Sequence, residues 1–394
     1  MTPGQPQVFE GLRVLDLSSE VAGPYCAKVF GDYGADVIKV EPQGGETGRS
    51  LEPFFDSTSI DSPERSALFA FLNLNKRGTV IDLETAGGRD VFVDLVRASD
   101  VVIESFKPGY LERLGIDFNQ LEAKKPGLVM TSITPYGQTQ PWSEREGNDL
   151  TANALGMWAE INQVEGRPPL KSAGYTASFV GGIAAYVGTV AAIRGRDVQG
   201  VGQYVDVSIV EAISALLSPM FYGAQSQGPR RWRGADRLTR VRDGYMSLTL
   251  GLTRFLDQAC LELGLPDVEE ARQMWETGQR AELMLRVGEA ASSRDKYELF
   301  FKLLELQCPA GIALTTEDLF TDPHLRDRGF WVGVEQPGVG TVEMPATSFL
   351  MSLTPFAVTR PAPSLAQHTD EVLTDCLGYD KERIMNLRRD GALA

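Results

Sequence analysis

Histidine is almost missing from this chain: His324 and His368 are the only two among 394 residues, and both lie in polar C-terminal contexts. Catalysis by a Ser-His-Asp triad is therefore not expected. Cysteine is sparse as well. Cys26, Cys260, Cys308 and Cys376 stand apart with no Cys-x-x-Cys pair, which argues against a metal site and for isolated buried thiols. The opening Met-Thr-Pro-Gly-Gln-Pro-Gln has neither a basic flank nor an apolar run, so a cytoplasmic protein is expected. Positive charge is in deficit. With 53 acidic against 38 basic residues the formal net charge is −15, which disfavours nonspecific nucleic-acid binding. One local exception is Arg230-Arg231-Trp232-Arg233, followed by Arg237, Arg240 and Arg242. Such a cluster suits an RNA or a phosphate, but a solvated linker or an ion-paired subunit contact is the plainer reading.

What remains is an ordinary soluble composition, 43% hydrophobic and 23% charged, in a chain long enough for two domains or lobes. Residues 12–17 read as a strand, Pro24 to Tyr33 as a helix with Pro24 at its first position, and Ala35–Glu41 as a second strand. Gly44–Glu64 reads as an exposed loop. Strand Thr79–Leu83, a helix from Thr85 to Ala98, strand Val101–Glu104, a helix from Tyr110 and strand Leu128–Ile133 follow. Strands alternating with helices predict an α/β fold with a doubly wound, mainly parallel sheet, whose turns after Leu17, Glu41, Leu83 and Glu104 converge on one edge. Glu41 resembles the ribose-binding acid of a dinucleotide fold, yet no Gly-x-Gly-x-x-Gly joins the first strand to its helix, so that reading fails. Between Lys171 and Arg194 lie 22 uncharged residues. That length could cross a bilayer, but Gly, Ala, Ser and Thr dominate it, and a closely packed core helix is expected instead of a membrane span. Residues 244–330 read as a smaller, helix-rich unit, with helices at Leu256–Leu263, Gln279–Ser293 and Lys296–Gln307.

Several blocks carry a family resemblance. Val14-Leu15-Asp16-Leu17 precedes Ala22-Gly23-Pro24 by four residues; Gly34-Ala35-Asp36-Val37-Ile38-Lys39-Val40-Glu41 follows. Asn75-Lys76-Arg77 leads to Asp82-Leu83. Then come Asp100-Val101-Val102-Ile103-Glu104, Phe106, Pro108-Gly109 and Arg113-Leu114-Gly115. Gly182, Gly202, Gln203, Val205, Asp206 and Ser208 form a later block, and Thr354-Pro355, His368-Thr369 and Gly378-Tyr379 close the chain. In order and spacing these resemble the class III coenzyme A transferases, the family of formyl-CoA and carnitine-CoA transferases and 2-methylacyl-CoA racemase. The resemblance implies a large Rossmann-like domain plus a smaller α+β domain in an interlocked dimer. The boundaries expected are 1–225 for the first part of the large domain, 226–330 for the linker and small domain, and 331–394 for a return segment.

Family members that exchange CoA use an aspartate four residues before Gly182 as nucleophile. Here that residue is Ser178. The family carboxylate attacks a thioester to give a mixed anhydride, and the CoA thiolate then attacks the enzyme's own carbonyl. A serine ester offers no such carbonyl, so Ser178 cannot substitute. The racemase branch carries Gly-His-Asp before the central helix; this chain has Gly147-Asn148-Asp149. Asp149 is thus either a lone general base or the cap of a helix starting at Leu150. The family's CoA-binding positions map to Val21, Ala22, Ile81, Ser105, Phe106, Arg113 and Leu114. Arg113 suits a phosphate; Phe106 suits the adenine or the core. Pro42 and Glu84 stand where family members can carry basic residues, and a glutamate there repels a phosphate. The resemblance implies a CoA thioester as substrate and no permanently bound cofactor. A scaffold kept without its nucleophile implies a subunit paired with a catalytic paralogue, as in the heteromeric branch that moves CoA from succinyl-CoA to benzylsuccinate in anaerobic toluene breakdown. Two alternatives stand beside it: a homodimeric acyl-CoA isomerase or lyase with Asp149 as base, and a CoA-binding regulatory module.

Overall fold

The structure, a computed structural model, describes residues 7–139, 141–162, 167–227, 238–248, 253–265, 268–347 and 349–394. The arginine–tryptophan cluster at 230–237 lies outside them, apart from the neighbouring Arg240 and Arg242. The chain forms two compact units, Met1–Arg231 with Gly329–Ala394, and Trp232–Arg328.

The first unit runs β1 (Arg13–Asp16), α1 (Ala22–Asp32), β2 (Asp36–Glu41), α2 (Ala67–Leu72), β3 (Lys76–Val80), α3 (Ala86–Arg97), β4 (Val101–Glu104), α4 (Tyr110–Leu114), α5 (Phe118–Glu122), β5 (Val129–Thr134), α6 (Asp149–Leu155), α7 (Trp158–Ile161), α8 (Thr176–Gln199), β6 (Tyr204–Ser208), α9 (Ile209–Ala215) and α10 (Ser218–Gln227). Its six strands pair in parallel in the order β3-β2-β1-β4-β5-β6. This is the doubly wound order, and its direction reverses between β1 and β4, where such folds hold ligands. Strand side chains alternate between two cores. Leu15, Ile38, Val102 and Met130 point into one with α3, α4 and α5. Val14, Val37, Val101 and Val129 point into the other with α1 and α8. That two-sided burial leaves Val101, Val102 and Ile103 of β4 with no exposed surface.

The second unit holds β7 (Thr239–Val241), β8 (Gly244–Leu248), α11 (Thr253–Leu263), α12 (Val268–Glu276), α13 (Arg280–Ala291), α14 (Lys296–Glu305), β9 (Ala310–Ile312), α15 (Thr316–Thr321) and α16 (Pro323–Asp327). Its antiparallel sheet β7-β8-β9 and helices enclose their own core, from Val241 to Cys308. The chain then returns to the first unit as a hairpin, β10 (Trp331–Gln336) and β11 (Gly340–Pro345), and two helices, α17 (Thr369–Leu377) and α18 (Lys381–Arg389).

Charges inside the first unit changed several sequence expectations. The third strand begins at Lys76, not Thr79, because Lys76 is buried and its ammonium is satisfied by Asp16 (2.8 Å), the Pro24 carbonyl (2.8 Å) and Asn73 (2.9 Å). Lys39 reaches the same carboxylate at 3.6 Å and also bonds the Ser18 carbonyl. Burial alone would raise the Asp16 carboxyl, but Lys39 and Lys76 hold it below the usual range, while burial draws Lys76 down to about 8. The loop 44–64 is not wholly exposed either. Arg49 is buried and grips Glu41 with two bonds of 2.7 and 2.8 Å. Glu41 is thereby consumed, and a ribose has no acid to meet. Helix α1 starts at Ala22, so Pro24 occupies its third position, which also lacks an intrahelical N–H requirement. Helix α12 was not anticipated; its short amphipathic run sits between longer ones.

Helix α8 is long and apolar enough to cross a membrane by length and composition. Its residues Ala177, Gly181, Gly182, Ala185, Thr189 and Ala192 face inward at three- and four-residue spacing and are buried. A Cβ at Gly182 would stand 2.5 Å from the Ala22 carbonyl oxygen, and one at Gly202 would stand 1.9 Å from that of Leu128. These two glycines permit α1 and β5 to approach.

Breaking a buried ion pair from one side typically costs about 3–5 kcal/mol. Asp16→Asn, which strands two buried lysines, is expected to lower stability by about that amount in denaturant titration. An unchanged midpoint would show that the cluster does not hold the fold.

Candidate active site

Ser178 is the third residue of α8, and the helix has no side-chain cap from its own Tyr175. The cap comes from another helix. Asp149 Oδ1 accepts the Ser178 N–H at 2.9 Å and its hydroxyl at 3.1 Å. Asp149 Oδ2 accepts Lys171 Nζ and Asn153 Nδ2, both at 3.0 Å. The Asp149 side chain is only 9% exposed, against 31% for Lys171. A carboxylate at the start of a long helix is also favoured by the helix dipole. The expectation that Asp149 caps its own helix is corrected: Asn148 does so, in a reciprocal pair with Thr151, and Asp149 is the first helical residue. Its carboxylate is therefore free to serve α8.

One turn beyond Ser178, Gly182 lies against Ala22, so the Ser178–Asp149 pair stands near the turn after β1. In that turn Ser19 N–H donates to Ser105 Oγ at 2.9 Å, joining the loops after β1 and β4 across the switch point. Glu20 adopts φ 63° and its N–H donates to Glu46 at 3.0 Å. Val21 and Ala22 are buried, so their backbone is what they present. Phe106 stacks on Tyr110 at 4.6 Å and packs at the edge of the core with Leu114.

Ile81 departs from expectation. It is 1% exposed, bridged to Leu393 and enclosed in the core, so its side chain is closed to a ligand. Arg113 is on the surface, but its guanidinium forks onto Glu84 at 2.8 and 3.2 Å. Sequence reasoning treated Glu84 as a repulsive neighbour of a phosphate; the geometry makes it a competitor for the same cation.

The carboxyl edge also holds a buried acid that sequence reasoning missed. Glu104, at the end of β4, shares a register row with Ser132 and Asp206. Its Oε2 accepts the Phe106 N–H at 2.6 Å. Burial pushes its carboxyl up to about 7, opposed by the bonds from Ser132 and Phe106 and supported by nearby Asp206. Tyr204 donates to Ser132 at 2.8 Å. The signal was a glutamate closing an otherwise apolar strand. His368 accepts the Gly78 N–H through Nδ1 at 3.0 Å, and burial keeps it below its ordinary pKa. Cys26, Cys260 and Cys308 are buried and Cys376 is half-buried, all as free thiols. Among the described residues no His, Cys, Asp and Glu group has metal-binding geometry.

The family model for CoA-transferase family III matches residues 9–369. The chain belongs to that family. It is 30% identical to the succinyl-CoA:(R)-benzylsuccinate CoA-transferase subunit BbsE of Thauera aromatica, over 98% of each chain. It is also 30% identical to the succinyl-CoA–L-malate CoA-transferase alpha subunit of Chloroflexus aurantiacus, over 98% of this chain and 92% of that one. Among solved structures, a CaiB/BaiF family protein from Brucella suis superposes with a TM-score of 0.84 at 27% identity, covering 94% of this chain and all of the other. Ser178, expected from the family resemblance to stand at the nucleophile's position, has a carboxylate from another helix beside it.

Two outcomes are expected. Glu84→Gln frees Arg113 and is expected to tighten CoA binding by roughly two- to fivefold, the scale of an exposed ion pair; unchanged affinity in calorimetry would put the nucleotide elsewhere. Glu104 has a folded pKa above its unfolded one, so its contribution is full below about 4.5 and is lost as pH rises through about 7. Between pH 5 and pH 7 wild type is expected to lose on the order of 2 kcal/mol relative to Glu104→Gln. Parallel pH profiles in denaturant titration would show Glu104 to be unperturbed.

Proposed function

We propose that this CoA-transferase is one subunit of a heteromeric, interlocked complex, acting in the cytoplasm and taking CoA from succinyl-CoA. The acceptor is a 2-substituted succinate such as benzylsuccinate. A paralogous partner carries the aspartate that this chain replaces with Ser178. The CoA thioester is a substrate and no cofactor is retained.

What carries the reading is Ser178, four residues before Gly182, where the family resemblance puts the nucleophilic aspartate. A hydroxyl there accepts an acyl group but cannot become the enzyme–CoA thioester through which CoA is passed on. Two relatives over nearly the full chain support a shared assembly: each is named as a subunit, each name gives succinyl-CoA, and benzylsuccinate and malate are both substituted succinates. In this reading the buried strand ends and the α1–α8 contact shape the pocket wall, and the partner completes it.

Co-expression with an aspartate-bearing paralogue, followed by native mass spectrometry and a transfer assay with succinyl-CoA, tests the assembly. The expected result is a mixed complex that transfers CoA to a substituted succinate. Homo-oligomers only, with full transfer in this chain by itself, would overturn the heteromeric reading.

A further inference from the structure

Position 178 lacks a carboxylate, yet Asp149 brings one beside it. Asp149 Oδ1 lies 3.1 Å from Ser178 Oγ, and four donors from Ser178, Lys171 and Asn153 fix its two oxygens. A serine Oγ occupies the branch position of an aspartate Cγ, and Asp149 places a carboxylate one hydrogen bond away from it. The arrangement exceeds what a cap requires. A cap needs the Ser178 N–H alone, whereas the hydroxyl, the ammonium and the amide add orientation from three further directions. Asn148 has also relieved Asp149 of duty on α6.

We propose that Asp149 is the acyl-accepting nucleophile of this chain's own site, with Ser178 and Lys171 as its positioning residues. The inference rests on the CoA-transferase reading, and it makes this subunit a second reaction centre within the complex. The chemistry balances as a series of anion exchanges. The Asp149 carboxylate attacks the thioester carbonyl, the C–S bond breaks, and CoA leaves as thiolate from an aspartyl–acyl anhydride. The thiolate attacks Asp149 Cγ, the anhydride C–O bond breaks, and the donor leaves as a carboxylate. The acceptor carboxylate then attacks the aspartyl thioester and releases thiolate, which attacks the acceptor's acyl carbon and restores Asp149. No step needs a proton donor or an oxidant. Ser178 keeps its proton throughout, donating it to the carboxylate in the resting state. Lys171, partly exposed, offsets the negative charge of each incoming anion.

The test uses the mixed complex in which the partner's own nucleophilic aspartate is replaced by asparagine. It is incubated with succinyl-CoA, quenched with hydroxylamine, and its peptides are mapped by mass spectrometry. The expected result is a hydroxamate on Asp149. Ser178→Ala lowers its yield but leaves it on the same residue, and Asp149→Asn abolishes it. Because Asp149→Asn also removes the α8 cap, its melting temperature is measured alongside. The double variant Asp149→Asn/Ser178→Asp is expected to move the label to position 178. No hydroxamate on Asp149 in wild type, or a succinyl ester that Ser178→Ala removes, would overturn the assignment. A mixed complex without the Asp149 label sinks this inference and leaves the heteromeric reading standing. If no mixed complex forms, the same trapping on the chain purified by itself decides the question.

Discussion

Asp16 has no contact with water, and most of the first unit is arranged around it. Its carboxylate lies at the end of β1 and takes Lys76 from the start of β3 and Lys39 from within β2, so three neighbouring strands meet in one charge cluster. Ser18 bends back onto the same carboxylate through its N–H and its hydroxyl, which shapes the turn into α1. Lys76 also reaches the Pro24 carbonyl in the first turn of that helix. A buried carboxylate is tolerable only with its partners in place. The cluster therefore couples the sheet edge, the turn and the start of α1 into one unit.

The rest of the site follows by contact. With α1 set by the cluster, α8 can rest against it where Gly182 leaves no side chain between the helix and the Ala22 carbonyl. That contact sets the height of the first turn of α8 and hence of Ser178. The turn has unsatisfied N–H groups and no cap of its own, and Asp149 meets that need from α6. The buried lysines, the start of α1 and the first turn of α8 thus form one chain of contacts that ends at Asp149. Across the switch point Ser105 ties the β4 loop to the β1 turn, and Glu104 beneath it holds the Phe106 backbone. The loops after β1 and β4 are thus held by groups that depend on one another.

Much of this was legible in the residues. The βαβ opening, the β4 strand and the α3 helix were read from alternation of apolar runs with capping residues, because local periodicity and caps are short-range properties. Other parts were not. Lys76 and Arg77 looked like the end of a loop, since a charged pair in a strand makes sense only when its buried partners are known. Arg49 and Glu46 were assigned to an exposed loop for the same reason. Asp149 was read as a lone base or as the cap of its own helix; besides Asn153 on α6, its carboxylate meets Lys171 and Ser178, 22 and 29 residues away. Ile81 was carried over as a ligand contact, but antiparallel bridging to Leu393 buries it, and no local pattern announces a C-terminal return of that length.

By itself the sequence determined the doubly wound architecture, the small-residue helix at its centre and membership of CoA-transferase family III. Each of these is written in residue type and spacing along the chain, where periodicity and motif order suffice. Tertiary structure alone decided which charges neutralise one another, that Arg113 is claimed by Glu84, and that a carboxylate from α6 stands beside Ser178. Those outcomes depend on side chains distant in sequence meeting across helices and strands, and electrostatic and hydrogen-bond energies at such contacts change over a few ångströms.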